Sequence, residues 1–105
     1  MIRLAVRAAI LHEGRVLMVN AYPGRRSDLW CLPGGGVNAH QSLPENLARE
    51  VAEETGLIIE VGAPFLVNEF HDPGRRFHQV EIHFLATLTG GGLTLADPEG
   101  VVNRA

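Results

Sequence analysis

Apolar and polar positions along this chain fall into four long extended stretches and one helical stretch. Residues 2–11 are mostly Ile, Leu, Val and Ala, with Arg3 and Arg7 set among them, and read as a strand. Glu13-Gly14 then reads as a hairpin-like turn, and residues 15–21 (Arg-Val-Leu-Met-Val-Asn-Ala) as the antiparallel partner. Tyr22–Asp28, with Pro23 and Gly24, predicts a loop. Leu29–Val37 is a short extended piece that enters a turn at Gly34-Gly35-Gly36. After the helix, residues 58–70 read as another strand with Pro64 within it, and His71–Arg76 as a turn around Asp72-Pro73-Gly74. Phe77–Leu88 alternates Val80, Ile82 and Phe84 against Gln79, Glu81 and His83, which predicts a half-buried strand. Gly90-Gly91-Gly92 should break it, and the last residues, 93–105, hold a loop at Asp97-Pro98-Glu99-Gly100.

The helix is the most fully marked element. Ser42 suits an N-cap, and Glu45 three residues later completes a capping box. Pro44 falls in the first turn, where its missing N–H costs little. Gly56 stands where a left-handed C-cap is expected. Leu43, Leu47 and Val51 recur every fourth residue as an apolar stripe, which Ala48, Ala52 and Thr55 widen with small side chains. Strands before and after one capped helix imply a mixed sheet packed against helix, an α+β or α/β/α layering.

With 105 residues the chain has the length of one domain. A net charge of −3 argues against a nucleic-acid polymer as partner, since a backbone binder carries a basic excess. The five histidines show no zinc-like spacing. The single cysteine, Cys31, allows no internal disulfide and suits a reducing compartment; beside Trp30 it reads as a small buried thiol. The apolar stretch at residues 4–11 is broken by Arg7 and followed by no cleavage signature, and no run approaches a membrane span. The expectation is a cytoplasmic protein with no membrane partner.

The chemistry concentrates on Arg49-Glu50-Val51-Ala52-Glu53-Glu54. Glu50 and Glu54 lie one turn apart on the rim of the apolar stripe, with Glu53 further out. Carboxylates at this density repel one another unless a cation stands between them, and a hard divalent ion takes oxygen ligands. Arg49 is placed to pair back to Glu45 or to brace a glutamate. Glycines 34–36 bring bare backbone close to the same place, offering carbonyls to a metal or N–H groups to a phosphate. Metal on carboxylates beside such a turn is equipment for phosphoanhydride hydrolysis: the ion neutralises phosphate oxygens and activates a water, and a carboxylate takes the proton. The glutamates alone would read as a solvated helix face with i,i+4 pairs. The joint pattern says more.

Residues 35–57 resemble the box of the Nudix family: Gly, five residues, Glu, seven residues, Arg-Glu, an aliphatic, any residue, Glu-Glu, any residue, Gly, an aliphatic. Gly35, Arg49, Glu50, Val51, Glu53, Glu54, Gly56 and Leu57 match at the right spacing. The five exact matches Arg49, Glu50, Glu53, Glu54 and Gly56 would arise together by chance on the order of once per million positions at residue frequencies of roughly 6%. Trp30-Cys31-Leu32-Pro33-Gly34-Gly35-Gly36 also resembles the usual lead-in. The resemblance implies one Nudix domain over residues 1–105, a Nudix-type α/β/α sandwich with a mixed central sheet. It implies hydrolysis of a nucleoside diphosphate linked to another moiety, with Mg2+ or Mn2+ as cofactor and a nucleotide-type small molecule as substrate. By the same resemblance Glu50, Glu53 and Glu54 hold the metal with a carbonyl of Gly35 or Gly34, Glu50 or Glu53 is the general base, and Arg49 orients the glutamates.

Two departures qualify the match. Gln41 stands where the pattern has Glu; its carbonyl still accepts a hydrogen bond but it brings no charge, so weaker metal binding or slower turnover is expected. Nudix domains also usually continue through another strand and a closing helix, and this chain reaches Val101-Val102-Asn103-Arg104-Ala105 where that strand should begin. The expectation is a C-terminally truncated domain with an uncovered edge, which a homodimer or strand exchange would cover. These departures carry the alternative readings: a Nudix-like module that binds a nucleotide without cleaving it, or an inactive fragment.

Outside the box, Arg7 is a charge amid Ala, Val and Ile, which needs a partner or a wet cleft, and it is a candidate substrate contact with Gly34, Arg25 and Glu99. Arg26, Arg75 and Arg76 read as solvated loop charges. Glu69 and Glu81 read as surface groups, His71, His78 and His83 as strand-edge or loop histidines, and Trp30 and Phe70 as core aromatics.

Overall fold

The computed structural model describes residues 1–20 and 30–92, and the backbone of 101–104. Its strands are β1 (Arg3–His12), β2 (Arg15–Asn20), β3 (Trp30–Cys31), β4 (Gly34–Gly36), β5 (Leu57–Asp72), β6 (Phe77–Gly91) and β7 (Val101–Arg104), with one α-helix, α1 (Leu43–Thr55), among the described residues. The strands form one sheet in the order β3-β2-β1-β6-β5, with β4 also on β1 and β7 on β2. The sheet is mixed: β1 and β6 run parallel and the remaining pairs antiparallel. The strand whose beginning is expected at Val101 is present over four residues.

Strand β1 is a fork. One edge pairs with β6 from Arg3 to Leu11. Along the other edge Ala5–Arg7 pairs with β4, while Leu11 and His12 pair with β2. Helix α1 closes over this fork: fully buried Leu47 and Val51 pack with Val6, Ala8, Ile10, Leu17, Ile59, Phe84 and Ala86 into one core. Because side chains alternate across a strand, Arg7, Gln79, Glu81 and His83 project to the other face of the sheet.

The helix ends follow the sequence reading. Glu45 N donates to Ser42 Oγ and Ser42 N to Glu45 Oε1, both at 3.2 Å, and Gly56 caps the C-terminus at φ 79°. Two features depart from it. Ala52 is exposed and does not widen the stripe, whereas Asn46 is fully buried. Asn46 accepts from Asn38 N at 2.7 Å and donates to Gly36 O at 3.0 Å, tying the turn to the helix. Position 46 lies three residues after Leu43, on the inward face.

Strand bounds also differ. Strand β5 runs unbroken through Pro64, because its pairing with β6 shifts register on both sides of that residue; a bulge accommodates the missing donor. Strand β6 continues to Gly91, since Gly90 and Gly91 still pair with Ile58 and Leu57, and φ 78° at Gly91 suits glycine alone where a Cβ would strike Gly56 O. Its alternation does not give one wet face. Flanked by β1 and β5, it buries Gln79 and Glu81 to 6% and 7% exposure, so Glu81 is not a surface group. Phe70 is exposed and outside the core, and Cys31 is only half-buried.

Leu47→Ala should lower unfolding free energy by about 2–5 kcal/mol, through lost burial and a cavity in a sealed site. Asn46→Ala should cost about 1–3 kcal/mol, because it removes two hydrogen bonds that a fully buried side chain makes to Asn38 N and Gly36 O. Urea denaturation of both variants checks this, and a midpoint for Asn46→Ala equal to the parent's would show that the turn is not held from the helix.

Candidate active site

The site forms where β4 runs under α1. Glycine is required at two places there. Gly34 has φ 152°, and a Cβ on it would collide with Val6 O; at Gly35 a Cβ would lie 2.8 Å from Glu50 Oε2. The absence of side chains therefore brings the carboxylate of Glu50 onto the backbone of β4. The N–H of Gly34, on the same strand, lies close enough to the Glu54 carboxylate to favour its charged form.

Glu54 is half-buried, and its Oε1 is sealed from solvent with no hydrogen-bond partner among the described residues. Burial pushes its carboxyl above the ordinary range; the Arg7 guanidinium pulls it down, Glu50 pushes it further up, and the Gly34 N–H pulls it down. A carboxylate oxygen closed away from water with no donor is an open acceptor for a cation.

Arg49 organises the outer side of the cluster. Its Nε donates to Gln41 Oε1 at 2.8 Å, its Nη1 to both oxygens of Glu53 at 3.1 and 3.0 Å, and its Nη2 to Asn46 Oδ1 and Glu50 Oε1, each at 3.3 Å. Of the alternatives open in the sequence, it braces the glutamates and does not pair with Glu45, whose carboxylate is taken by the capping box. Gln41 keeps an acceptor on Arg49 despite its missing charge. Glu53 is drawn outward, with its side chain 59% exposed.

Among the described residues, no three acidic, histidine or cysteine side chains stand together as a ready metal cage. The donors at hand still fit a hard divalent ion. Glu50 and Glu54 converge beside the glycines, Glu54 Oε1 is unpartnered, and magnesium needs only one or two direct carboxylates because it keeps several waters. Glu53 does not converge with them in this arrangement.

Arg7 lies at the inner edge of the site. Its Nε donates to Glu81 Oε2 at 3.1 Å and its Nη1 to Leu32 O at 3.4 Å. The charge amid apolar neighbours is thus met by a buried carboxylate on β6. Sequence reasoning missed Glu81 and Asn46; the signal for both was a polar residue at a position whose element had to be covered. Arg25 and Glu99 lie outside the described residues, as does Arg26. Glu69 is exposed and its Oε2 lies 2.7 Å from His78 Nε2, while His71 and His78 stack with ring centres 4.4 Å apart; these groups are not brought to the site. A cavity of about 470 Å3 lined by Met1, Ile2, Arg3, Leu4, Gly36 and Val37 opens at the end of β4, within the size range of small-molecule sites.

Known proteins resemble this chain in sequence and in fold. An ADP-ribose pyrophosphatase of Methanocaldococcus jannaschii is 31% identical over 94 residues, covering 90% of this chain and 56% of its own. A putative ADP-ribose pyrophosphatase of Bacillus subtilis is 30% identical over 89 residues, covering 82% and 41%. The chain thus spans about half the length of the curated relatives it matches. Among solved structures, a MutT Nudix hydrolase from Burkholderia pseudomallei superposes with a TM-score of 0.84 at 26% identity, covering all of this chain and 84% of that one. The sequence model of the NUDIX domain matches residues 1–104, and with the glycine strand, the capped helix and its glutamates in place, this chain belongs to the Nudix family.

Proposed function

We propose that this chain hydrolyses the phosphoanhydride of a nucleoside diphosphate linked to another moiety, with ADP-ribose as the first substrate to test. The observation that carries the reading is the unpartnered, sealed Oε1 of Glu54 beside the Glu50 carboxylate on a bare glycine strand. The names of the relatives from Methanocaldococcus jannaschii and Bacillus subtilis favour ADP-ribose over other diphosphates.

In this reading Glu50 and Glu54 hold a magnesium ion, with a carbonyl of Gly34 or Gly35 beside them. The ion supplies Lewis-acid neutralisation of the phosphate oxygens and a water of lowered pKa. Glu50 faces Gly35 and accepts only one hydrogen bond from Arg49, so it keeps acceptor capacity for the proton of the attacking water. Glu53 has both oxygens on Arg49 Nη1 and serves by fixing that guanidinium, which in turn orients Glu50. Arg7, next to Glu54, contacts a phosphate oxygen of the substrate. The domain runs over residues 1–105 and acts on a nucleotide-type small molecule; a homodimer would cover the exposed half of β5.

Glu50→Gln and Glu54→Gln should each lower kcat for ADP-ribose with Mg2+ by about 100-fold or more, a larger loss than the typical 10–100-fold for a residue that acts only through a metal ligand. Phosphate release after phosphatase coupling measures it, and unchanged rates in both variants would remove α1 from the mechanism.

Metal affinity should also depend on pH in a stated direction. Burial holds the Glu54 carboxyl above the ordinary range, and the ion competes with that proton. Mn2+ affinity is therefore expected to fall as pH is lowered toward the raised pKa, at a higher pH than an ordinary carboxylate would give. Titration of Mn2+ by electron paramagnetic resonance reads this, and the slope should flatten in Glu54→Gln.

A further inference from the structure

The polar cluster on the sheet face away from α1 is more than a neutralised charge. Glu81 is 7% exposed on β6, and three side chains converge on it: Arg7 Nε at 3.1 Å and Gln79 Nε2 at 3.0 Å on Oε2, and His83 Nε2 at 3.4 Å on Oε1. Gln79 is itself buried, so this carboxylate is held on both oxygens by groups that have little room to move. Arg7 carries the restraint onward. Its Nε is committed to Glu81 and its Nη1 to Leu32 O, two residues before the Gly34 that pairs with Arg7 across β1 and β4. Its Nη2 has no hydrogen-bond partner among the described residues. Gly34 is followed by Gly35, against which the Glu50 carboxylate rests, and Arg7 stands close enough for its charge to be felt at Glu54. A planar guanidinium pinned at two of its three nitrogens has only one way to present the third.

We propose that Glu81 is a positioning residue: it locks Arg7 so that the free Nη2 edge faces the diphosphate bound beside Glu54, and Gln79 and His83 hold Glu81 for that purpose. A carboxylate used only to neutralise a buried arginine needs no aim. One gripped on both oxygens, whose partner keeps a nitrogen without a hydrogen bond among the described residues, sets a direction for an anionic oxygen. Arg7 touches the ligand and Glu81 acts through it. The inference rests on the reading of the site as a diphosphate-hydrolysing centre, and extends it to a residue on the opposite face of the sheet.

The test is a double-mutant cycle on the full chain, using the non-hydrolysable α,β-methylene analogue of ADP-ribose with Mg2+ and isothermal calorimetry. Arg7→Ala and Glu81→Gln should each weaken binding about tenfold or more, as expected for losing or misdirecting a charged hydrogen bond. The double variant Arg7→Ala/Glu81→Gln should bind no worse than Arg7→Ala alone, because Glu81 has no route to the ligand except Arg7. With hydrolysable ADP-ribose, Glu81→Gln should raise KM by a similar factor and leave kcat within about twofold, the mark of lost binding rather than lost chemistry. A merely structural Glu81 would lower the melting temperature without that split. Thermal melts of every variant, and the Glu81→Asp variant as a shorter carboxylate expected to restore part of the affinity, separate misfolding from misaiming. Wild-type affinity in Glu81→Gln, or additive losses in the double variant, would overturn the assignment of Glu81 while leaving the hydrolase reading intact. Failure of the unmodified chain to bind the analogue would sink the diphosphate site itself, and the role of Glu81 with it.

Discussion

The close approach of a bare backbone strand to a helix is the constraint on which this molecule is built. Strand β4 is three glycines. At Gly34 a side chain would occupy the place of Val6 O, and at Gly35 it would occupy the place of the Glu50 carboxylate. Because nothing projects from β4, α1 lies near enough for Asn46 to accept a hydrogen bond from Asn38 N and donate one to Gly36 O. The same nearness puts two carboxylates against backbone N–H and carbonyl groups. Fold and site are one packing solution here: the apolar side of α1 supplies the free energy, and the glycine strand sets where the rim of that helix comes to rest.

Charge is distributed to match. On the outer side, Arg49 spreads its donors over Gln41, Asn46, Glu50 and Glu53, which keeps three glutamates on one helix without crowding them together. On the inner side Arg7 is held from β6 by Glu81. Glu54 lies between these arrangements with one oxygen unsatisfied. Gln79 Oε1 is the other buried side-chain oxygen without a partner among the described residues. An unpartnered buried oxygen costs stability, and a cation bound there would offset that cost.

The substitution at Gln41 illustrates how geometry can survive a change of charge. The amide oxygen still receives the Arg49 Nε at 2.8 Å, so the guanidinium plane keeps its orientation. What is lost is the negative charge of the acceptor, which bears on strength more than on direction. A departure from a family pattern in sequence thus need not be a departure in architecture.

Much of this was legible in the chain itself. The ends of α1 followed from Ser42, Glu45 and Gly56, because capping is local chemistry within four residues. The four long strands followed from their apolar patterns, and membership of the family from the spacing of the glutamates on α1 and the glycines before it. What only tertiary structure decided were the matters of neighbourhood. Pro64 and Gly90 did not end their strands, because pairing with the adjacent strand overrode local preference. Glu81 became buried because β6 lies between β1 and β5, and no window of sequence around it reveals that Arg7, seventy-four residues away, provides its counter-charge. Asn46 was drawn inward for the same reason, and Glu53 outward by Arg49. Local sequence encodes which backbone conformation each stretch prefers; which polar groups must meet one another depends on how distant strands are brought together, and that is a property of the folded whole.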